Sequence, residues 1–291
     1  MDFSQVRYRY PSRFSTVQNI QVAYIDQGLP QAPTLIFLHG NGADLSTFDR
    51  VYPTFCTNFR VIGVDLPGYG KSDKPLLEYS PGWYVEFLHA FFNTLKITHW
   101  IGVGHSYGGC LLMEYTLRFP DAVQALILLD AAGTHSYSPE EVAFIRENFT
   151  PEKLIAATPE QIRFSMQQAL GEWAPAYQGW LEKWVGLTRA RDYAGYAHAV
   201  HRALEACIRS DLLERVGGIH QPVQLIWGEK DTIVPLTAGK ALAQRLPHAA
   251  LEVLNGCGHF PQLTRTARVI EIMTRFLNRV GAHSGGDWYV P

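Results

Sequence analysis

Six short apolar runs recur along the chain: Leu35–Leu38, Val61–Val64, Trp100–Val103, Ala125–Leu129, Val223–Trp227 and Leu251–Leu254, each followed by Gly, Asp, Asn or His. Their hydrophobicity is continuous rather than alternating, which predicts strands of a parallel sheet covered on both faces. Helical spacing of apolar positions falls between them, for instance over Trp83–Leu95 and Cys110–Phe119, the latter stopped by Pro120. The alternation of strand and helix predicts a doubly wound α/β architecture.

Ahead of these runs, Arg13–Val17 and Ile20–Asp26 alternate closer to a period of two around Gln18-Asn19, a pattern that predicts an antiparallel hairpin at the sheet edge. The repeat breaks once. From about Thr134 to Arg215 several helical patterns carry Trp173, Trp180 and Trp184, and no clear strand appears. The expected organisation is a core of residues 1–133 and 216–280, a helical lid of residues 134–215 over the strand ends, and a flexible Gly-rich tail of residues 281–291 beyond a last helix Thr266–Val280. Ligands of open α/β sheets bind outside the carboxyl ends of the strands, where such a lid would lie.

At 291 residues, with 47% hydrophobic and 18% charged positions, the chain can bury a large core without disulfides or metals. Its 25 Lys+Arg against 27 Asp+Glu give a net charge of -2, no field for gathering phosphates, so nucleic acid is not an expected partner. Cys56, Cys110, Cys207 and Cys257 form neither C-x-x-C pairs nor a dense regular pattern, and are expected to be reduced, mostly buried thiols. Charged residues interrupt the first ten positions, so no signal peptide is expected. No apolar run reaches the roughly 20 residues a bilayer requires. A cytoplasmic protein without a membrane anchor is the expectation, with a homodimer compatible.

The strand Trp100–Val103 runs into Gly104-His105-Ser106-Tyr107-Gly108, followed at once by a helical pattern. G-x-S-x-G in that context is a nucleophile elbow: a sharp strand-to-helix turn strains the central serine and leaves no room for side chains two positions to either side. The helix start offers free N–H groups and a positive dipole end to an oxyanion, with the Tyr107 N–H as one donor. Leu35–Leu38 runs into His39-Gly40-Asn41-Gly42, and the Asn41 N–H is the expected second donor. A serine hydroxyl needs a base, and the base an acid. Asp231 lies in the loop after Val223–Trp227, and His259 in the loop after Leu251–Leu254.

With these signatures, the HG loop and the segment Asp65-Leu66-Pro67-Gly68-Tyr69-Gly70-Lys71-Ser72, residues 20 to 280 resemble the α/β-hydrolase superfamily. The resemblance implies a mostly parallel eight-stranded sheet with helices on both faces and an inserted helical lid. It also implies a Ser-His-Asp hydrolase acting through an acyl-enzyme, with Ser106, Asp231 and His259 catalytic, and with no metal or organic cofactor.

Other candidates read more simply. Gly70-Lys71-Ser72 imitates the end of a phosphate-binding loop, but Asp65 stands where that pattern needs Gly. Gly102-x-Gly104 fails as a dinucleotide fingerprint because Tyr107 occupies the third glycine position. Asp130 is the alternative acid. His105 is expected to point away from the serine, and His39 to brace the oxyanion loop. His198 and His201 have a helical spacing that suits a metal, yet no carboxylate or cysteine clearly completes a site. Cys257 is expected to pack its loop. Trp173, Tyr177, Trp180 and Trp184 fall near one helical face, interrupted by Pro175 and Gly179. Packing of the lid on the core is their simpler role; Trp173, Trp180 and Trp184, with Phe260, are the candidate apolar lining for a substrate.

A serine at the elbow argues against the epoxide hydrolases and haloalkane dehalogenases that the chain otherwise resembles, which use aspartate there. The carbon–carbon bond hydrolases of aromatic degradation usually carry Trp after the catalytic His and Pro-Gly after the oxyanion glycines, where this chain has Phe260 and Ala43-Asp44. The leading expectation is a carboxylesterase or lipase-like enzyme for a small-molecule ester of small or medium acyl length. The alternatives are a carbon–carbon bond hydrolase, lactonase or amidase with the same triad, and a non-catalytic ligand receptor on the same scaffold.

Overall fold

The computed structural model describes residues 2–284, and the sheet follows the apolar runs. Its strands are β1 (Arg13–Val17), β2 (Ile20–Gly28), β3 (Thr34–Leu38), β4 (Arg60–Val64), β5 (Trp100–His105), β6 (Val123–Leu129), β7 (Val223–Gly228) and β8 (Ala249–Leu254). They lie in the order β1-β2-β4-β3-β5-β6-β7-β8. β3 to β8 pair in parallel, and β2 runs antiparallel to both β1 and β4. Val17 pairs with Ile20 across the two-residue turn, where Gln18 and Asn19 adopt φ of 49° and 62°. Two positive φ values give the turn the twist of the strands it joins.

Because side chains alternate across a strand, the continuous runs feed two cores. Ile36 and Leu38 of β3 enter one cluster with Leu88 and Leu111, from helices Pro81–Thr94 and Tyr107–Arg118. Leu35 and Phe37 enter the other with Val269 and Met273, from helix Thr266–Ser284. That last helix runs to Ser284, four residues past the expected end at Val280; the rest of the tail, residues 285–291, lies outside the described residues. β8 departs from the buried pattern: it is the edge strand opposite β1, and Val253 is 38% exposed.

Between β6 and β7 the chain is helical. Helices Pro139–Asn148, Pro151–Ala156 and Pro159–Leu170 each begin with proline behind a capping Ser138, Thr150 or Thr158, whose side chains accept backbone N–H groups. Proline at the first helical position lacks only an N–H that would have no partner there. Helices Gln178–Leu187 and Tyr193–Ile208 follow. Trp173 and Tyr177 precede the first of these, so the aromatic series does not share one helix.

Candidate active site

Ser106 sits between β5 and helix Tyr107–Arg118 at φ 50°, ψ -117°, a conformation that persists in a non-glycine residue only where its surroundings hold it. Its N–H donates to Leu129 O at 2.9 Å, and its carbonyl accepts from Gly109 N at 2.9 Å and Ala132 N at 3.0 Å. A Cβ on Gly104 would lie 2.7 Å from the Gly109 backbone, and one on Gly108 would lie 2.2 Å from Leu38 O. Both glycines are therefore required by contact. Tyr107 opens the helix, whose first N–H groups have no acceptor within it.

The loop after β3 crosses directly over the elbow, since a Cβ on Gly40 would lie 2.9 Å from Ser106 Cβ. His39 is fully buried and braces this loop: its Nε2 accepts from Leu66 N at 3.1 Å, so its Nδ1–H donates to Gly40 O at 2.8 Å. Burial lowers its pKa to about 4, which keeps the ring neutral for both bonds. The Asn41 side chain is already engaged, with Nδ2 donating to Val200 O at 3.1 Å and Oδ1 accepting from Tyr69 OH at 2.8 Å.

Asp231 and His259 meet in a 2.7 Å bond between Oδ2 and Nδ1. The other Asp231 oxygen accepts from Ile233 N at 2.8 Å and Val234 N at 3.0 Å. Burial alone would raise the Asp231 pKa, but the charge and hydrogen bond of His259 outweigh it and hold the carboxyl below its usual range. With Nδ1–H committed to this carboxylate, Nε2 is the ring's free basic position. The His259 main chain is pinned on two sides: its N–H donates to Ala169 O at 2.7 Å, and its carbonyl accepts from His105 Nε2 at 2.6 Å. His105, next to Ser106, thereby ties the elbow to the His259 loop.

Asp130 lies beside this pair, at φ 45° and fully buried. One of its oxygens accepts from Gly228 N at 2.8 Å, and Oδ2 has no donor among the described residues. Burial first, and then the Asp231 charge, push its pKa well above the carboxylate range. Asp130 is thus biased toward its protonated form beside Asp231, while Asp231 holds the imidazole. Ligand atoms of Asp130, Asp231 and His259 lie within 4.8 Å of one another, so among the described residues these three are grouped closely enough for a metal. Two of those atoms are already spent on each other.

Of the aromatic candidates, Phe260 and Trp180 come together, with ring centroids 5.1 Å apart, and Phe260 lies 5.3 Å from the His259 ring. Trp184 packs on both Trp180 and Tyr196, and Trp173 is 40% exposed against Tyr177, whose buried ring shares a cluster with Phe260. His198 Nε2 meets Leu77 O at 2.6 Å and His201 Nδ1 meets Phe149 O at 3.1 Å, packing contacts of the insertion. Cys257 is buried with its Sγ 3.3 Å from Thr264 Oγ1. No helix among the described residues is long and apolar enough to cross a membrane.

Sequence reasoning missed the polar residues that reach this loop from the insertion. Tyr196 OH donates to Gly42 O at 2.9 Å, and Lys183 Nζ lies 2.9 Å and 3.0 Å from the two oxygens of the fully buried Asp44. A carboxylate so close to a buried loop signals that a cation must exist somewhere; its position in sequence gives no hint of which.

Set against known proteins, residues 33–266 match the family described as alpha/beta hydrolase fold. The chain is 28% identical to a pimeloyl-[acyl-carrier protein] methyl ester esterase of Chromobacterium violaceum, over 86% of this chain and 96% of that protein. It is 26% identical to a monoacylglycerol lipase of Mus musculus, over 92% and 82%. Its fold is similar to that of a 2-hydroxy-6-oxo-6-phenylhexa-2,4-dienoate hydrolase from Rhodococcus, with TM-score 0.77, 21% identity and coverage of 92% and 98%.

Proposed function

Because the chain belongs to the alpha/beta hydrolase fold family, we propose that it is a serine hydrolase cleaving the esters of small or medium acyl groups through an acyl-enzyme. The observation that carries this reading is the Asp231–His259 bond of 2.7 Å, joined through His105 to a serine held at φ 50°. Support comes also from relatives whose names describe an ester hydrolase and a lipase.

In this reading His259 Nε2 takes the Ser106 proton as Oγ adds to the ester carbonyl, and the ionised Asp231 stabilises the imidazolium. The N–H groups of Asn41 and Tyr107 stabilise the oxyanion, a contribution of about 10²- to 10³-fold for each donor. Imidazolium then gives its proton to the departing alkoxide. Water, deprotonated by the same nitrogen, adds to the acyl carbonyl; collapse releases the acid and restores Ser106. Phe260 and Trp180 supply an apolar wall next to His259, suited to the hydrocarbon part of the substrate.

The test is hydrolysis of a chain-length series of p-nitrophenyl esters by wild type and Ser106→Ala. Wild type is expected to turn over a subset, and the variant to lose at least about 10³-fold. Full activity in Ser106→Ala would remove the serine mechanism; turnover of a lactone, amide or carbon–carbon substrate, with esters untouched, would move the same triad to that chemistry.

A further inference from the structure

The loop from Leu38 to Leu45 is held by two different parts of the molecule. Its ends belong to the core: His39 bridges Gly40 O and Leu66 N, and Leu45 N donates to Asp65 Oδ1 at 2.8 Å. Its middle is held from the insertion, with Tyr69 of the core also donating to Asn41 Oδ1 at 2.8 Å. The Asn41 side chain reaches Val200 O, Gly42 O accepts from Tyr196 OH, and Asp44 is bound by Lys183.

The last contact is the most demanding. Asp44 is fully buried, and its carboxylate stays ionised against that burial because the Lys183 charge lowers its pKa. Lys183 Nζ completes its bonding with Ser46 Oγ at 2.8 Å and lies 4.3 Å over the Trp184 ring. A charge removed from water in this way stays put only while its partner does. Gly42, at φ 70°, fixes the turn between Asn41 and Asp44 with the Tyr196 hydroxyl against it.

We propose that Lys183 is a positioning residue: from the insertion, it holds Asp44 and with it the Asn41–Asp44 loop, and so sets where the Asn41 N–H points. The proposal rests on the oxyanion role given above to Asn41. It makes the insertion a contributor to turnover as well as a cover for the substrate. Lys183 touches no substrate; misplacing a catalytic group by about an ångström costs up to about 10²-fold in rate.

The experiment measures kcat and KM on p-nitrophenyl butyrate, with amide hydrogen exchange across residues 40–45, for wild type, Lys183→Met, Lys183→Arg and Tyr196→Phe. Lys183→Met is expected to lose about 10²-fold in kcat with KM within threefold and faster exchange at 41–44; Lys183→Arg restores most of the rate. Tyr196→Phe, which keeps the packed ring, is expected to lose about tenfold in kcat and guards against a Lys183→Met protein that does not fold. Unchanged kcat in folded Lys183→Met and Tyr196→Phe, or a loss confined to KM, overturns the proposal. If wild type hydrolyses no ester, the proposed function fails by itself, and the exchange data alone decide on Lys183: unchanged protection at 41–44 overturns its role, and faster exchange upholds it.

Discussion

The sheet and the insertion solve opposite problems. In β3 to β7 nearly every side chain is buried, and position is fixed by close packing of backbone on backbone. Helices Pro139–Asn148 and Pro151–Ala156 bury no residue, and Phe144 and Phe164 of the insertion are 61% and 64% exposed. What the insertion contributes to the site it delivers through polar contacts, Lys183 to Asp44, Tyr196 to Gly42, Val200 O to Asn41 and Ala169 O to His259 N, and through the Trp180 ring against Phe260. The sheet tolerates little change anywhere, whereas the insertion tolerates change along its exposed first helices but not at these contacts or at buried positions such as Leu170, Leu181 and Ala199.

Paired glycine substitutions give that contrast its strongest test. Gly108→Ala drives a Cβ to 2.2 Å from Leu38 O, while a Cβ on Gly179, in helix Gln178–Leu187, meets nothing within 4 Å. Urea unfolding is expected to show a loss of about 3 kcal/mol or more for Gly108→Ala and a gain of up to about 1 kcal/mol for Gly179→Ala. Comparable losses at the two positions would erase the contrast.

Asp130 tests the same idea within the core, where a polar contact replaces packing. Asp130→Asn keeps a donor toward Asp231 and is expected to retain most of kcat, whereas Asp130→Ala removes it and is expected to cost about tenfold or more, the scale of one hydrogen bond to a charged group. Equal kcat for the two variants would mean that the neighbouring acid does not support Asp231.

The smallest effect is electrostatic. Burial pushes the Asp49 pKa up to about 7, so between its ordinary value near 4 and 7 the folded chain keeps a proton that the unfolded chain has lost. Stability from this group is therefore full below about pH 4 and declines as pH rises toward 7. Asp49→Asn is expected to gain on wild type as pH rises from 5 to 8 in paired denaturant titrations; a difference independent of pH would show that Asp49 is ionised throughout.

The same division governs what the sequence made legible. Apolar runs announced the strands, and Gly104, Ser106 and Gly108 announced the elbow, because each depends on neighbours a few positions away. Asp231 and His259 could be placed because both follow strand ends. Asp130 was visible as an acid at a strand end, but its adjacency to Asp231 follows from β6 lying beside β7. The Lys183–Asp44 pair joins residues 139 positions apart, and no periodicity or spacing links them. Trp173, Trp180 and Trp184 shared the residue type of a pocket wall, but the helix start at Gln178 that separates Trp173 from the other two was not legible from spacing.

The hydrogen bond from His259 N to Ala169 O has a further consequence for exchanging parts between relatives. Anyone grafting a foreign insertion onto this scaffold would cut near residues 134 and 215, where the chain enters and leaves the sheet. Such a chimera would inherit the serine and the imidazole but lose the carbonyl that fixes one side of the His259 main chain. Successful transplants must therefore carry a matching acceptor at the end of their third helix, or bring the His259 loop along with the cargo.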